Sequence, residues 1–340
     1  MSVIPETDSA VAAPTAEQES FCRFDSERRV VTPPAKFTDP DWTAKGEKRA
    51  SVAFAGYDTL WFNTGTICNL ACANCYIESS PRNDQLAFLT RADVRLYLDE
   101  ARALPTRLRE IGFTGGEPFA NPDIAGMIED SLEFGAHVLV LTNAMTPMTH
   151  HKAALNDFAR RFPGKLSLRV SLDHYTAEKH EAVRGKGSWR PAVDGLQWLA
   201  RNGFDLALAS RKLWGESETS LREGYRRLCE EMGVALDTQN PARLVLFPEM
   251  EAVEDVPEIT ENCWAILGKS PDQVMCANER MIVRRKGAKK PVVLACTLIP
   301  YDPRFEMGAT LAEAARPIKL NHSHCARFCV LGGASCNIRS

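Results

Sequence analysis

The chain has 340 residues, 44% of them hydrophobic and 25% charged, with a formal net charge of −3. That length buries a sizeable core, and the mildly acidic balance excludes the basic excess of a nucleic-acid-binding domain. No apolar run approaches the roughly 20 residues of a membrane span, and the first residues, MSVIPETDSA, lack the basic start and apolar middle of a secretory signal. The expected location is therefore cytoplasmic. In a reducing compartment the 11 cysteines read as metal ligands or reactive thiols rather than disulfides.

Residues 1–20 are rich in Ala, Thr, Pro, Glu and Ser, the composition of a mobile segment. Residues 21–50 form an irregular extension. From there a rhythm begins. Residues 57–63 (YDTLWFN) predict a strand, and 90–104 predict a helix that Thr90 can cap. Strand patterns follow at 108–114, 136–142, 166–172, 205–210 and 243–247, and helix patterns at 122–134, 148–162, 190–202 and 217–232. Six β units alternating with helices imply a parallel sheet with helical crossovers. In barrels of that kind the loops at the strand ends carry the chemistry. Past residue 250 the pattern changes. Residues 281–284 and 291–295 predict a hairpin around Lys286, Gly287 and Ala288, and 309–316 one short helix. The basic residues Arg284, Arg285, Lys286, Lys289 and Lys290 read as a solvated hairpin. Residues 51–250 are read as a barrel, and 251–340 as a small second unit with little core, organised by metal.

Cys68, Cys72 and Cys75 follow the first strand directly, in TGTICNLACANCYIES. Thiolates suit iron–sulfur clusters. Three on one loop can hold three corners of a 4Fe–4S cubane and leave the fourth iron open. A closed structural zinc site wants four ligands, and no fourth Cys or His falls in this loop. The second strand runs into Gly115, Gly116, Glu117 and Pro118, where glycines permit close backbone approach and a carboxylate suits a cationic amine. A turn alone would also explain the glycines and proline.

Together these motifs resemble the signature of the radical S-adenosylmethionine (SAM) superfamily. The resemblance implies a partial (β/α)6 TIM-like barrel within the α/β class. It implies that the open iron chelates SAM, whose reductive cleavage gives a 5′-deoxyadenosyl radical that abstracts hydrogen from substrate. It places the GGEP residues Gly115, Gly116, Glu117 and Pro118 at the methionine ammonium. Leu141, Thr142 and Asn143 resemble the family's TNG-type strand end, with Ala144 where Gly is usual; a polar strand terminus reads as well. SLDHYTAEKHEAVRGKGSW resembles the SLDG…HD…RG…GSF stretch of members with auxiliary clusters. That likeness puts Ser171 and Arg184 near SAM, while His174 replaces Gly and Glu181 replaces Asp. No adenine motif is legible in LALASRKLW, and Arg211 there reads as an exposed surface arginine.

The tail carries Cys263, Cys276, Cys296, Cys325, Cys329 and Cys336. Cys276 and Cys296 bracket the hairpin; Cys325 and Cys329 follow the short helix. This resembles the twitch domain, a shortened SPASM domain holding one auxiliary 4Fe–4S cluster, although the spacing differs from the commonest form. Cys276, Cys296, Cys325 and Cys329 are the expected ligands, with Cys336 the first substitute and His322 or His324 as others. A structural zinc site is the alternative. Cys22 and Cys229 read as ordinary thiols.

The resemblance implies an oxidoreductase that accepts electrons from a flavodoxin or ferredoxin-type donor and performs net oxidation of a small molecule or peptide, without nucleic acid or membrane. The preceding chain is too short for a cobalamin domain, and nothing in residues 1–50 reads as a leader-binding winged helix. A peptide or protein maturase is the rival within enzymes. A non-catalytic electron carrier is the rival outside them, and it has no use for the GGEP residues.

Overall fold

Each apolar run from residue 57 onward is followed by an amphipathic segment long enough to carry the chain back across the sheet, so successive strands run the same way. The computed structural model describes residues 36–105, 108–248 and 255–332. The expectations for residues 1–20, Cys22 and Cys336 lie outside these. In chain order come β1 (Ser51–Val52), β2 (Thr59–Asn63), α1 (Arg91–Arg102), β3 (Glu110–Thr114), α2 (Ile124–Phe134) and β4 (His137–Thr142). Next are α3 (Thr146–Thr149), α4 (Lys152–Arg161), β5 (Leu166–Ser171), α5 (Ala177–Arg184), α6 (Trp189–Arg201), β6 (Asp205–Lys212), α7 (Glu218–Met232) and β7 (Leu244–Pro248). Thr90 caps α1 in a reciprocal box with Asp93.

Strands β2 to β7 lie side by side in chain order and pair in parallel throughout. This is the expected α/β half-barrel. Its loops after β2 to β6 open on one face.

The tail contains α8 (Cys263–Leu267), β8 (Glu279–Val283), β9 (Val292–Leu294), β10 (Glu306–Gly308), α9 (Leu311–Ala314), β11 (Ile318–Lys319) and α10 (Cys325–Leu331), a wide turn of π type. The predicted hairpin exists as β8 and β9, but it does not stand apart. β8 pairs in parallel with the free edge of β2, Thr59 opposite Glu279 and Phe62 opposite Ile282. β9 and β10 then add antiparallel, giving one nine-stranded sheet. Met281, Ile282, Val293, Leu294 and Phe305 join the same buried core as Phe62, Phe113 and Leu139. The tail therefore borrows the barrel's core and covers an edge that would otherwise template aggregation.

The extension packs on the tail. β1 pairs with β11, and the buried Arg49 donates to the carbonyls of Asp39, Trp42 and Leu320 and to Glu258 at 2.5 Å. A second, smaller apolar cluster of Ala50, Val52, Ile259, Val274 and Ala277 lies beneath.

Candidate functional site

The loop after β2 carries the three cysteines over the mouth of the half-barrel. Cys68, Cys72 and Cys75 border a cavity enclosing about 1160 Å³ of empty space, its open mouth included. Gly115, Gly116, Asn143, Ser171 and Arg184 line the same cavity, so the structure brings these five expected residues to the cysteines. Glu117 and Pro118 do not line it.

The glycine pair is dictated by backbone. Gly116 N donates to Gly65 O at 2.8 Å and Glu117 N to Ile67 O at 3.2 Å, tying the end of β3 to the segment that leads into Cys68. A Cβ at Gly116 would meet Ile67 O at 2.2 Å, and Gly115 sits at φ +132° with Gly65 O 2.6 Å from its would-be Cβ. Glu117 is buried beneath this junction. Its carboxylate accepts from Phe119 N, Thr142 Oγ1 and Asn143 N at 3.1, 2.8 and 2.8 Å. Burial nevertheless pushes it up to about 7, outweighing those three donors. Asn143 in turn donates to Asn69 Oδ1 at 2.8 Å, inside the cysteine loop. Ala144 takes φ +57°, the left-handed conformation where the family pattern has Gly.

The opposite wall is cationic. Arg184 donates to Asp173 at 2.8 and 3.3 Å, and Arg211 stands 3.6 Å from the same carboxylate. Burial pushes the Asp173 carboxyl up, but Arg184 and Arg211 outweigh it and hold it below the usual range. Arg211 corrects the sequence reading: it is 6% exposed, not a surface residue. It lies near the end of β6, where the side chain points into the barrel mouth. There it donates to Ala73 O and Asn74 O at 3.1 and 3.2 Å, clamping the cysteine loop, and it lies over the Tyr76 ring. Asp173, Arg169 and Arg211 all line the cavity and were not singled out from sequence as site residues. A charged residue inside a strand otherwise apolar, as Arg169 is in LSLRVS, was the available signal. His174 is buried outside the cavity wall and meets Glu216 Oε2 at 2.9 Å.

The tail completes the enclosure. Thr297, Leu298 and Phe328 line the cavity beside Phe247 of β7, with Phe247 and Phe328 stacked at 5.3 Å. Behind them lies a second cavity enclosing about 490 Å³ of empty space, its opening to solvent included, bordered by Cys276, Cys296, Cys325 and Cys329 together with His324, Glu279 and Arg280. Thr297 borders both cavities. A further link is Trp61, on the wall of the first, whose Nε1 donates to Glu279 of the second at 2.7 Å. Cys263, Cys229 and His322 do not border either cavity, and Cys229 is a buried thiol on α7.

Both donor sets fit iron–sulfur clusters. Burial pushes the Cys68 thiol up to about 12, Cys276 to about 11, Cys296 to about 12, and Cys325 well above its ordinary value. Such thiols become thiolates only when metal replaces their protons. The four tail thiols border a void, as ligands of a polyatomic cluster must. Among the described residues no three His, Cys, Asp or Glu side chains are gathered for a single ion.

Residues 62–210 match the family model described as the Radical SAM superfamily. Mycofactocin maturase MftC of Mycobacterium tuberculosis (strain ATCC 25618 / H37Rv) is 34% identical over 139 residues, 40% of this chain and 33% of that protein. The subtilosin biosynthesis protein AlbA of Bacillus subtilis (strain 168) is 28% identical over 144 residues, 42% of this chain and 30% of that protein. The chain thus spans about a third of the length of these curated relatives. In fold it is similar to Streptococcus suis SuiB bound to S-adenosylmethionine, with TM-score 0.55, 12% identity, and 75% of this chain and 64% of that one covered. It is likewise similar to anSMEcpe with bound AdoMet, with TM-score 0.54, 12% identity, and coverages of 75% and 79%. The half-barrel with three cysteines after its first parallel strand accompanies that match, and residues 62–210 are those of a radical SAM domain.

Proposed function

We propose that the chain is a peptide-modifying radical SAM maturase that performs a net oxidation with the help of an auxiliary cluster. Bound at the three cysteines, cluster and SAM supply a 5′-deoxyadenosyl radical able to take hydrogen from an unactivated carbon. The chain's residues do the rest. Cys68, Cys72 and Cys75 hold the catalytic cluster. The backbone of Gly115 and Gly116, with Asn143, Ser171 and Arg184, faces SAM. Glu117 and Pro118 support that wall from behind. Phe247, Leu298 and Phe328 exclude water from the reacting face. Cys276, Cys296, Cys325 and Cys329 hold the auxiliary cluster, with Cys336 in reserve.

One observation carries this reading: a four-thiol cavity backs onto the three-thiol cavity across Thr297. A cluster held by the four thiols would sit across Thr297 from the cavity in which substrate would meet SAM. A peptide is the favoured substrate because the relatives include a mycofactocin maturase and a bacteriocin biosynthesis protein, and SuiB is solved with its precursor peptide. The electron donor is a ferredoxin or flavodoxin, in the cytoplasm.

Anaerobic reconstitution tests it. Two cubanes give about eight irons per chain. Replacing Cys68, Cys72 and Cys75 by Ala should abolish 5′-deoxyadenosine formation and leave about four irons. Replacing Cys276 and Cys296 should lose the other irons while SAM cleavage persists. Peptides encoded beside the gene should lose hydrogen in mass spectra with the wild type. About four irons plus stoichiometric zinc in the wild type would overturn the auxiliary role.

A further inference from the structure

Arg280 is among the largest side chains in the molecule with almost no exposure, at 1%. A buried guanidinium normally finds a carboxylate. Arg280 instead donates to four carbonyls: Cys276 O at 2.6 Å, Glu279 O at 2.7 Å, Arg316 O at 3.0 Å and Ala314 O at 3.1 Å. Its other face lies over the Phe54 ring at 4.7 Å. Carbonyls and a ring orient a cation but carry no net charge to balance it. The adjacent Glu279 borders the same cavity, but its carboxylate accepts from Trp61 Nε1, and its charge acts on the Cys276 and Cys296 thiols and is not among the groups acting on Arg280. What Arg280 does border is the four-thiol cavity. The groups acting on it electrostatically include Cys276 and Tyr57, attractive when ionised, and the repelling Arg316.

We infer that Arg280 is the built-in counter-charge of an anionic four-thiolate centre at Cys276, Cys296, Cys325 and Cys329, and that it raises that centre's reduction potential. The inference rests on the auxiliary-cluster reading. Four thiolates on a 4Fe–4S core in its oxidised state sum to a net charge of −2. Accepting one electron takes the centre to −3, with no proton or bond involved. A fixed positive charge at the cavity wall favours the −3 state over the −2 state, in a buried setting where screening is weak. Arg280 is thus a positioning and tuning residue, and it makes the centre a better acceptor for an electron leaving the substrate.

The test is a redox titration of the reconstituted full-length protein, followed by electron paramagnetic resonance. Two variants are compared with wild type. Arg280→Gln removes the charge. Phe54→Glu leaves Arg280 and its four carbonyl bonds in place and sets an opposing charge against its face. At the wild-type midpoint of the auxiliary centre, each folded variant should show a ratio of reduced to oxidised centre lower by about tenfold, equivalent to about 59 mV for one electron. The catalytic cluster should keep its potential, and Arg280→Lys should stay near wild type. An unchanged auxiliary midpoint in either folded variant overturns the inference. If Arg280→Gln does not fold, Phe54→Glu decides. A wild type with about four irons and no second cluster signal overturns the auxiliary reading itself, and is told apart by the iron count.

Discussion

Glu117 is 1% exposed, and three donors converge on its carboxylate. Those donors favour the ionised form, yet burial wins and lifts the group from 4.5 to about 7. A folded value above the unfolded one means that folding favours the protonated acid. Its contribution to stability is fully present below about pH 4.5 and is lost as pH rises through about 7. At about 1.36 kcal/mol per unit, the contribution is roughly 3 kcal/mol. Glu117→Gln cannot titrate, and its amide would face the Asn143 N–H donor. Its unfolding free energy, measured by urea at pH 5 and pH 8, should lack this pH dependence, so the gap to wild type narrows by up to roughly 3 kcal/mol on going to pH 8. Equal pH dependence in the two proteins would remove Glu117 as the source. At this scale the cysteines and the glycine pair were legible because spacing and residue type are local, whereas Arg184 was reached only through the family resemblance. It did not show that Glu117 would turn away from the cavity, since that depends on where β4 ends against β3. Arg211 was misread for a related reason. A polar residue at a strand end looks the same in sequence whether it faces solvent or the mouth of a barrel.

Within β6, Arg211 links an element to a loop far away in sequence. Its two bonds to Ala73 O and Asn74 O hold the peptide units between Cys72 and Cys75. Hydrogen bonds from a charged donor are each worth roughly 1.5–3 kcal/mol. Arg211→Met should therefore loosen the loop. In the reconstituted protein we expect the catalytic cluster to lose iron to a chelator faster than in wild type, with the auxiliary irons unaffected. Equal loss rates would show that the clamp is dispensable. The long elements were legible because their periodicity was complete. α5 was not: of its eight residues only His180 and Val183 are buried, too few to mark a helical face. β1, β10 and β11 have two or three residues each, shorter than any alternation can reveal. The wide π turn of α10 places Cys325 and Cys329 at the same cavity, and one-sequence propensities carry no signal for such turns.

Across the whole molecule, barrel and tail share one sheet and one core, which the composition shift at residue 250 concealed. Cysteine-rich sequence suggested a small second unit organised by metal, with little core of its own; in the structure β8, β9 and β10 extend the barrel's sheet through backbone pairing. A chain ending after β7 would expose the outer edge of β2, five buried residues long, together with the core face that Met281, Ile282 and Leu294 cover. We expect that truncation to aggregate, by light scattering, even with Cys68, Cys72 and Cys75 present. A soluble, monomeric truncation that binds its cluster would show the tail to be an independent module. The same pairing has a consequence for how the protein is made. Thr59 waits for Glu279, about 220 residues later. At 5–20 residues per second that is roughly 10–40 s of synthesis. Throughout that interval the ribosome-bound chain presents β2 with one side open and the cysteine loop beside it. A cluster delivered to Cys68, Cys72 and Cys75 in that interval would meet β2 before β8 pairs along its edge.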